Sequence, residues 1–173
     1  DSTPNHLKKP LDFESFHDEE KSLRTRFKDN IEAMSLLKEL MQNNTQATQE
    51  QQAILAKYSG FGGLNSVITD KDLELLKSVL MGDFAEVQSQ LRKLLQRTDD
   101  AYYTPISVVQ PIYESLLKAG FSKGRVLEPS LGKGIFFEAM PQSLKNNTQR
   151  IGVELDSLTA HFAKQLQPST EIF

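Results

Sequence analysis

Residues 125–134 read Arg-Val-Leu-Glu-Pro-Ser-Leu-Gly-Lys-Gly, and residues 151–156 read Ile-Gly-Val-Glu-Leu-Asp. Each apolar run ends in an acid, and spaced glycines follow the first. This is the layout of a βαβ unit, with strands over residues 125–128 and 150–154 pairing in parallel through a helical crossover. Gly134 and Glu154 stand 20 residues apart, about the distance from a glycine-rich turn to a ribose-binding acid in a nucleotide-binding unit. The pair fixes the expectation for residues 100–173: an α/β domain whose first two strands converge on a ligand.

The chain ahead of this unit has helical periodicity. Residues 1–12, with Pro4 and Pro10, read as a flexible lead. From about residue 13 to 41, Phe16, Leu23, Phe27, Ile31, Met34, Leu37 and Met41 form one apolar stripe. Thr48 and Gln51 have capping-box spacing, which predicts a helix from residue 48 to about 58. Asp70 and Asp83 are candidate caps for two more helices, the first stopped by Gly82. Residues 13–99 therefore read as a helical region. Its character changes at Thr98-Asp99-Asp100. Thr104-Pro105 opens a further helix with Pro at the first helical position, Val108, Val109, Ile112, Leu116 and Leu117 as its buried face, and Gly120 as its cap. A helix over 135–140, a helix over 156–166 and a third strand over 171–173 complete the pattern.

Composition limits the function classes. The 173 residues include no Cys, so disulfides and thiolate metal sites are excluded, in keeping with a reducing, cytoplasmic location. No apolar run approaches membrane-spanning length. Residues 1–100 carry 13 Lys/Arg against 17 Asp/Glu, and residues 101–173 carry 7 against 6. Neither half is the basic body of an autonomous nucleic-acid binder. Any DNA contact falls to a local patch or to a larger parent protein. His6, His17 and His161 are scattered without metal-ligand spacing and read as solvent or local hydrogen-bonding groups.

The glycine turn Glu128–Gly134 is neither a Walker loop nor a dinucleotide fingerprint, since Phe137 stands where the third glycine belongs. The strand-end acid disfavours pyrophosphate and suits a cationic or hydroxyl-bearing ligand. On its own the turn fits a plain strand-to-helix connection equally well; with Glu154 the ligand reading leads. Asp156 is a helix cap. Tyr102-Tyr103-Thr104-Pro105 could line a pocket or simply cap a helix. Tyr58-Ser59-Gly60-Phe61-Gly62-Gly63-Leu64 could cover a ligand or touch DNA, but physics favours a helix end and a turn anchored by aromatics.

Together, Tyr103-Thr104-Pro105, Leu127-Glu128-Pro129-Ser130-Leu131-Gly132-Lys133-Gly134-Ile135-Phe136 and Gly152-Val153-Glu154-Leu155-Asp156 resemble the ordered motifs of amino-group DNA methyltransferases of the γ type, the S-adenosylmethionine enzymes that modify adenine N6. With Tyr58–Leu64 upstream, residues 52–173 are similar to the large methylase–helicase proteins of bacterial mobile elements and phages. The resemblance implies a truncated Rossmann-like methyltransferase sheet behind the helical region. It implies that Tyr103, Thr104 and Pro105 hold the methionine end of the cofactor. Glu128, with Pro129 and Ser130 beside it, would face the cofactor's amino group, and Gly132 and Gly134 would clear space for its chain. Glu154 would take the ribose hydroxyls, and Leu155 would lie against the adenine. The family's Asn/Asp-Pro-Pro-aromatic motif, which holds the flipped base, is absent from these 173 residues.

The resulting expectation is the S-adenosylmethionine-binding N-terminal part of a DNA adenine methyltransferase, inactive alone, with DNA engaged through the full-length parent. A non-catalytic scaffold with a methyltransferase-like fold is the alternative. A NAD enzyme is a third reading, disfavoured by Phe137. A sheet of two or three strands leaves an open edge, which predicts self-association or a partly disordered C-terminus.

Overall fold

The computed structural model describes residues 21–96 and 104–173. The lead over residues 1–12, Phe13, Phe16, His6, His17, the change at Thr98-Asp99-Asp100, and Tyr102-Tyr103 lie outside the described residues.

Helix α1 (Leu23–Gln42) is capped by Ser22, whose Oγ accepts the Thr25 N–H at 3.1 Å; the predicted stretch before residue 21 lies outside the described residues. The stripe Phe27, Ile31, Met34, Leu37 and Leu40 is buried. Helix α2 (Gln49–Leu55) has the expected Thr48/Gln51 capping box and stops short of Tyr58. A short 3-10 turn, Leu64–Val67, follows. Helix α3 (Asp70–Val79) is capped by Thr69, not Asp70. Asp72 closes that box and also takes a bidentate pair from Arg24 at 2.6 and 2.9 Å. Residue Leu80 is already extended, so α3 ends before Gly82. Helix α4 (Phe84–Gln96) starts at the predicted Asp83, whose Oδ1 accepts the Glu86 N–H while Glu86 Oε2 accepts that of Asp83, both at 2.9 Å.

Helix α5 (Ile106–Lys118) places Pro105 at its N-cap, one position earlier than expected. It closes on Gly120, where Phe121 N–H donates to Leu116 O and Gly120 N–H to Leu117 O. The predicted buried face is largely wrong. Only Val109 of that set is buried, with Ile106 and Tyr113, whereas Val108, Ile112, Leu116 and Leu117 are 40–50% exposed. The helix carries two apolar stripes, and the one at spacing 106, 109 and 113 meets the rest of the protein.

The sheet is parallel, in the order β1-β2-β3, with β1 Gly124–Glu128, β2 Thr148–Gly152 and β3 Glu171–Ile172. Helix α6 (Ile135–Ala139) and a short α7 (Gln142–Lys145), which the sequence reading lacks, cross from β1 to β2. Helix α8 (Ser157–Leu166) crosses to β3. The chain is thus α/β, as expected. β2 ends at Gly152, so Glu154 lies two residues beyond the strand rather than on its last residue. Residues 165–173 are tied down, with Phe173 N–H donating to Gly152 O and Glu154 N–H to Phe173 O, both at 3.0 Å. The C-terminal segment is thereby paired to β2 and its continuation. Doubly wound sheets are covered on both faces; here Leu127 and Val153 are 59% and 40% exposed, so one face remains open.

Val109, Tyr113, Leu131, Phe137, Met140, Leu144 and Ala163 form the core on the other face of the sheet. The larger core joins the helical region to Ile135, Phe162 and Leu166. Tyr58 stacks on Phe162 with ring centroids 4.2 Å apart. Such a pair contributes roughly 0.5–1.5 kcal/mol beyond the burial of its surface. Gln52 Nε2 donates to Gln165 O, and Ala47 N–H to Gln165 Oε1, each at 2.8 Å. The helical region is therefore bound to α8 by both apolar packing and hydrogen bonds.

Among the described residues, no helix is long and apolar enough to cross a membrane.

Candidate functional site

The candidate site begins where β1 and β2 end together. Glu128 pairs with Gly152 in the parallel register, and two more bonds carry the pairing past the strands. Val153 N–H donates to Glu128 O and Leu131 N–H to Val153 O, both at 2.9 Å. The turn after β1 is thereby laid across the end of β2. Gly152 makes this approach possible: a Cβ there would stand 2.6 Å from Leu131 Cδ2.

The acid and the glycine turn meet directly. Glu154 Oε2 accepts the Gly132 N–H, and Oε1 accepts the Asp156 N–H, both at 2.8 Å. Each carboxylate oxygen keeps a second lone pair, so the half-buried side chain retains capacity for hydroxyl donors. Asp156 caps α8, with Oδ2 accepting from Thr159 N–H at 3.0 Å and Thr159 Oγ1 at 2.6 Å, as read from the sequence. Glu128 Oε1 accepts the Ser130 N–H at 3.2 Å, which bends the exposed Pro129-Ser130 corner toward the strand-end acid.

The glycines differ in what they make room for. Gly132 has φ +56° and Gly134 φ +90°, a conformation that favours glycine. At Gly134 the space a Cβ would fill is taken by Gln167, whose Cγ would be 2.6 Å away. Packing against the chain itself thus accounts for Gly134. Leu155 is fully exposed and borders a hollow of about 110 Å³ that it shares with Gln90, Lys93, Leu94 and residues 156–158. Ligand pockets usually start near 300 Å³, and this hollow is well below that size.

Thr104 and Pro105 stand at the start of α5, and Tyr103 lies outside the described residues. Helix α5 reaches the turn through Val109 and Tyr113, which pack with Leu131. Burial, with the charge of Glu128 adding and that of Arg150 opposing, pushes the Tyr113 phenol up to about 12. The structure therefore joins the turn to Glu154 by a hydrogen bond and sets Glu128 at the end of the adjacent strand, with Thr104-Pro105 at the start of α5.

Sequence reasoning missed Lys133. It is 3% exposed and donates from Nζ to Ala56 O at 2.7 Å and to Tyr58 O. Buried Asn30 was missed as well: it accepts the Ser59 N–H at 2.8 Å and donates to Gly60 O at 2.5 Å. Of the reading of Tyr58–Leu64, the turn anchored by aromatics is present, while the helix end falls earlier, at Leu55. Tyr58 and Phe61 are core residues, and Gly60 and Gly63 have positive φ. His161 Nδ1 lies 2.6 Å from Ser157 O, a local hydrogen bond as expected.

Two larger hollows, each about 610 Å³, lie elsewhere. One runs between α1 and α3 beside Phe27, Leu36 and Leu75; the other is polar, with Glu138, Lys145, Arg150 and Gln167 on its walls. Burial lowers the Lys145 ammonium below the usual lysine range, with Glu138 opposing and Arg150 adding to the shift. Neither hollow includes the turn.

The chain is 26% identical over 149 residues to Defense against restriction protein B of Escherichia phage P1, covering 86% of this chain. The chain spans only 5% of that relative's length. No family model and no solved structure matches.

Proposed function

We propose that this chain is the S-adenosylmethionine-binding N-terminal part of a DNA adenine-N6 methyltransferase with a Rossmann-like sheet, and that DNA is engaged through a longer parent. The observation carrying this reading is the Glu154 carboxylate, held 2.8 Å from the Gly132 N–H at the carboxyl ends of adjacent parallel strands. Ligands of open α/β sheets bind outside the carboxyl ends of the strands. The relative's name adds a setting, phage defence against restriction, in which a DNA-modifying protein has a place.

The residues fit the cofactor. Glu154 would accept the two ribose hydroxyls with its remaining lone pairs. Leu155 would offer its exposed side chain to the adenine. Glu128 would face the cationic amino group, with Ser130 and Gly132 setting the course of the backbone. When bound, S-adenosylmethionine supplies an electrophilic methyl group. The part of this chain is to orient the cofactor, because it lacks the Asn/Asp-Pro-Pro-aromatic motif that would hold the target base.

A scaffold without cofactor binding is favoured by one set of observations: Gln167 fills the space at Gly134, and Glu154 spends a lone pair of each oxygen on backbone. Titration calorimetry separates the two readings. S-adenosylmethionine should give one saturable site, NAD none, and Glu154→Ala should weaken binding about tenfold or more, the worth of hydrogen bonds to a charged group. Absence of heat with the unaltered protein would leave the scaffold.

A further inference from the structure

The turn that follows β1 is held from two sides. Glu154 holds the Gly132 N–H. Between Gly132 and Gly134, the Lys133 side chain turns the other way and enters the helical region, where the carbonyls of Ala56 and Tyr58 receive its ammonium. These carbonyls follow α2, in the segment that leads into Tyr58–Leu64. Burying an ammonium is unfavourable unless donors find acceptors, and backbone carbonyls at a helix end are suited to a cation. Both neighbouring glycines have positive φ, so little side-chain bulk restricts the turn from within. The lysine fixes its course from outside.

The same segment also grips α8. Tyr58 stacks on Phe162, and α8 begins at Asp156, whose N–H is held by Glu154. One element of the helical region thus touches both the glycine turn and α8.

We propose that Lys133 is a positioning residue that pegs the glycine turn to the Tyr58–Leu64 element, so that the helical region sets the geometry of the ligand site. The affinity arm of this proposal rests on the function proposed above; the backbone arm does not. In Lys133→Met the apolar stem remains and the donors are lost. Amide hydrogen exchange at Gly132 and Gly134 should quicken, and S-adenosylmethionine should bind about tenfold more weakly, on the scale of one lost charge-assisted hydrogen bond. Lys145→Met provides the comparison. Lys145 is also partly buried and donates to a carbonyl, Glu138 O, at 2.7 Å, on the wall of the polar hollow. Its loss should lower the melting temperature without changing exchange at Gly132 or cofactor affinity.

Exchange at Gly132 and Gly134 unchanged in Lys133→Met overturns the proposal, as does cofactor binding within twofold of the parent. If the unaltered protein binds no S-adenosylmethionine, the functional reading falls while exchange at the two glycines still decides the peg. Should Lys133→Met fail to fold, Lys133→Gln, which keeps a donor on a shorter arm, replaces it. Failure of both to fold would make Lys133 a general determinant of the fold and would end the local role.

Discussion

Gly152→Ala is a sharp test of how the candidate site is built. Gly152 is buried in β2, and its φ is not in the left-handed region, so alanine meets no backbone strain there. The added Cβ would stand 2.6, 3.0 and 3.1 Å from Leu131 Cδ2, Cδ1 and Cγ. Leu131 has little room to yield. It is 4% exposed, lies among Val109, Tyr113, Phe137 and Met140, and its N–H is bonded to Val153 O. Overpacking of this kind costs roughly 1–3 kcal/mol, equivalent to about 2–4 °C in melting temperature per kcal/mol for a chain of this size. Urea denaturation of the parent, Gly152→Ala, Leu131→Ala and the double variant forms a cycle. Leu131→Ala alone should cost about 2–5 kcal/mol through the cavity it leaves. In the Leu131→Ala background the alanine at 152 should cost little, giving a coupling of about 1 kcal/mol or more. Additive effects, or Gly152→Ala within about 0.5 kcal/mol of the parent, would refute the proposed close approach of the turn to β2.

Two further outcomes follow from the helical region and the sheet edge. The Arg24 guanidinium, with Thr69 N–H and Oγ1, holds the Asp72 carboxyl well below the usual range. Its stabilising contribution is therefore present above the unfolded value near pH 4 and is lost as pH falls through the folded value; thermal melts from pH 7 to pH 3 should fall less steeply for Asp72→Asn than for the parent. The exposed stripe Val108, Ile112 and Leu116 of α5 should drive self-association, seen as a sedimentation coefficient that rises with concentration and stays flat in Ile112→Asp/Leu116→Asp.

Much of the local structure was legible because it is encoded locally. Thr48 and Gln51, Asp83 and Glu86, and Asp156 announce their helix starts by spacing alone, and the structure contains each cap. The strands were legible as short apolar runs bounded by Gly and acids. The face of α5 was not. Residues 106, 109 and 113 and residues 108, 112 and 116 each recur at helical spacing, and only tertiary packing decides which stripe is covered. The glycine turn was legible as a turn, but the bond from the Gly132 N–H to Glu154 was not, because the sequence assigns that acid to a ribose. The role of Gly134 was not, since Gln167 fills its space from 33 residues away. Lys133 carried no signal at all. Its acceptors are backbone carbonyls 75 and 77 residues earlier, and a carbonyl has no sequence signature.

The structure of this protein crystallised with S-adenosylmethionine tests the central claim most directly. The account predicts the adenosyl group outside the ends of β1 and β2, its ribose hydroxyls on the Glu154 carboxylate and its adenine on Leu155. Cofactor seated in the α1–α3 groove or the polar hollow, with Glu154 bonded to backbone alone, would contradict it.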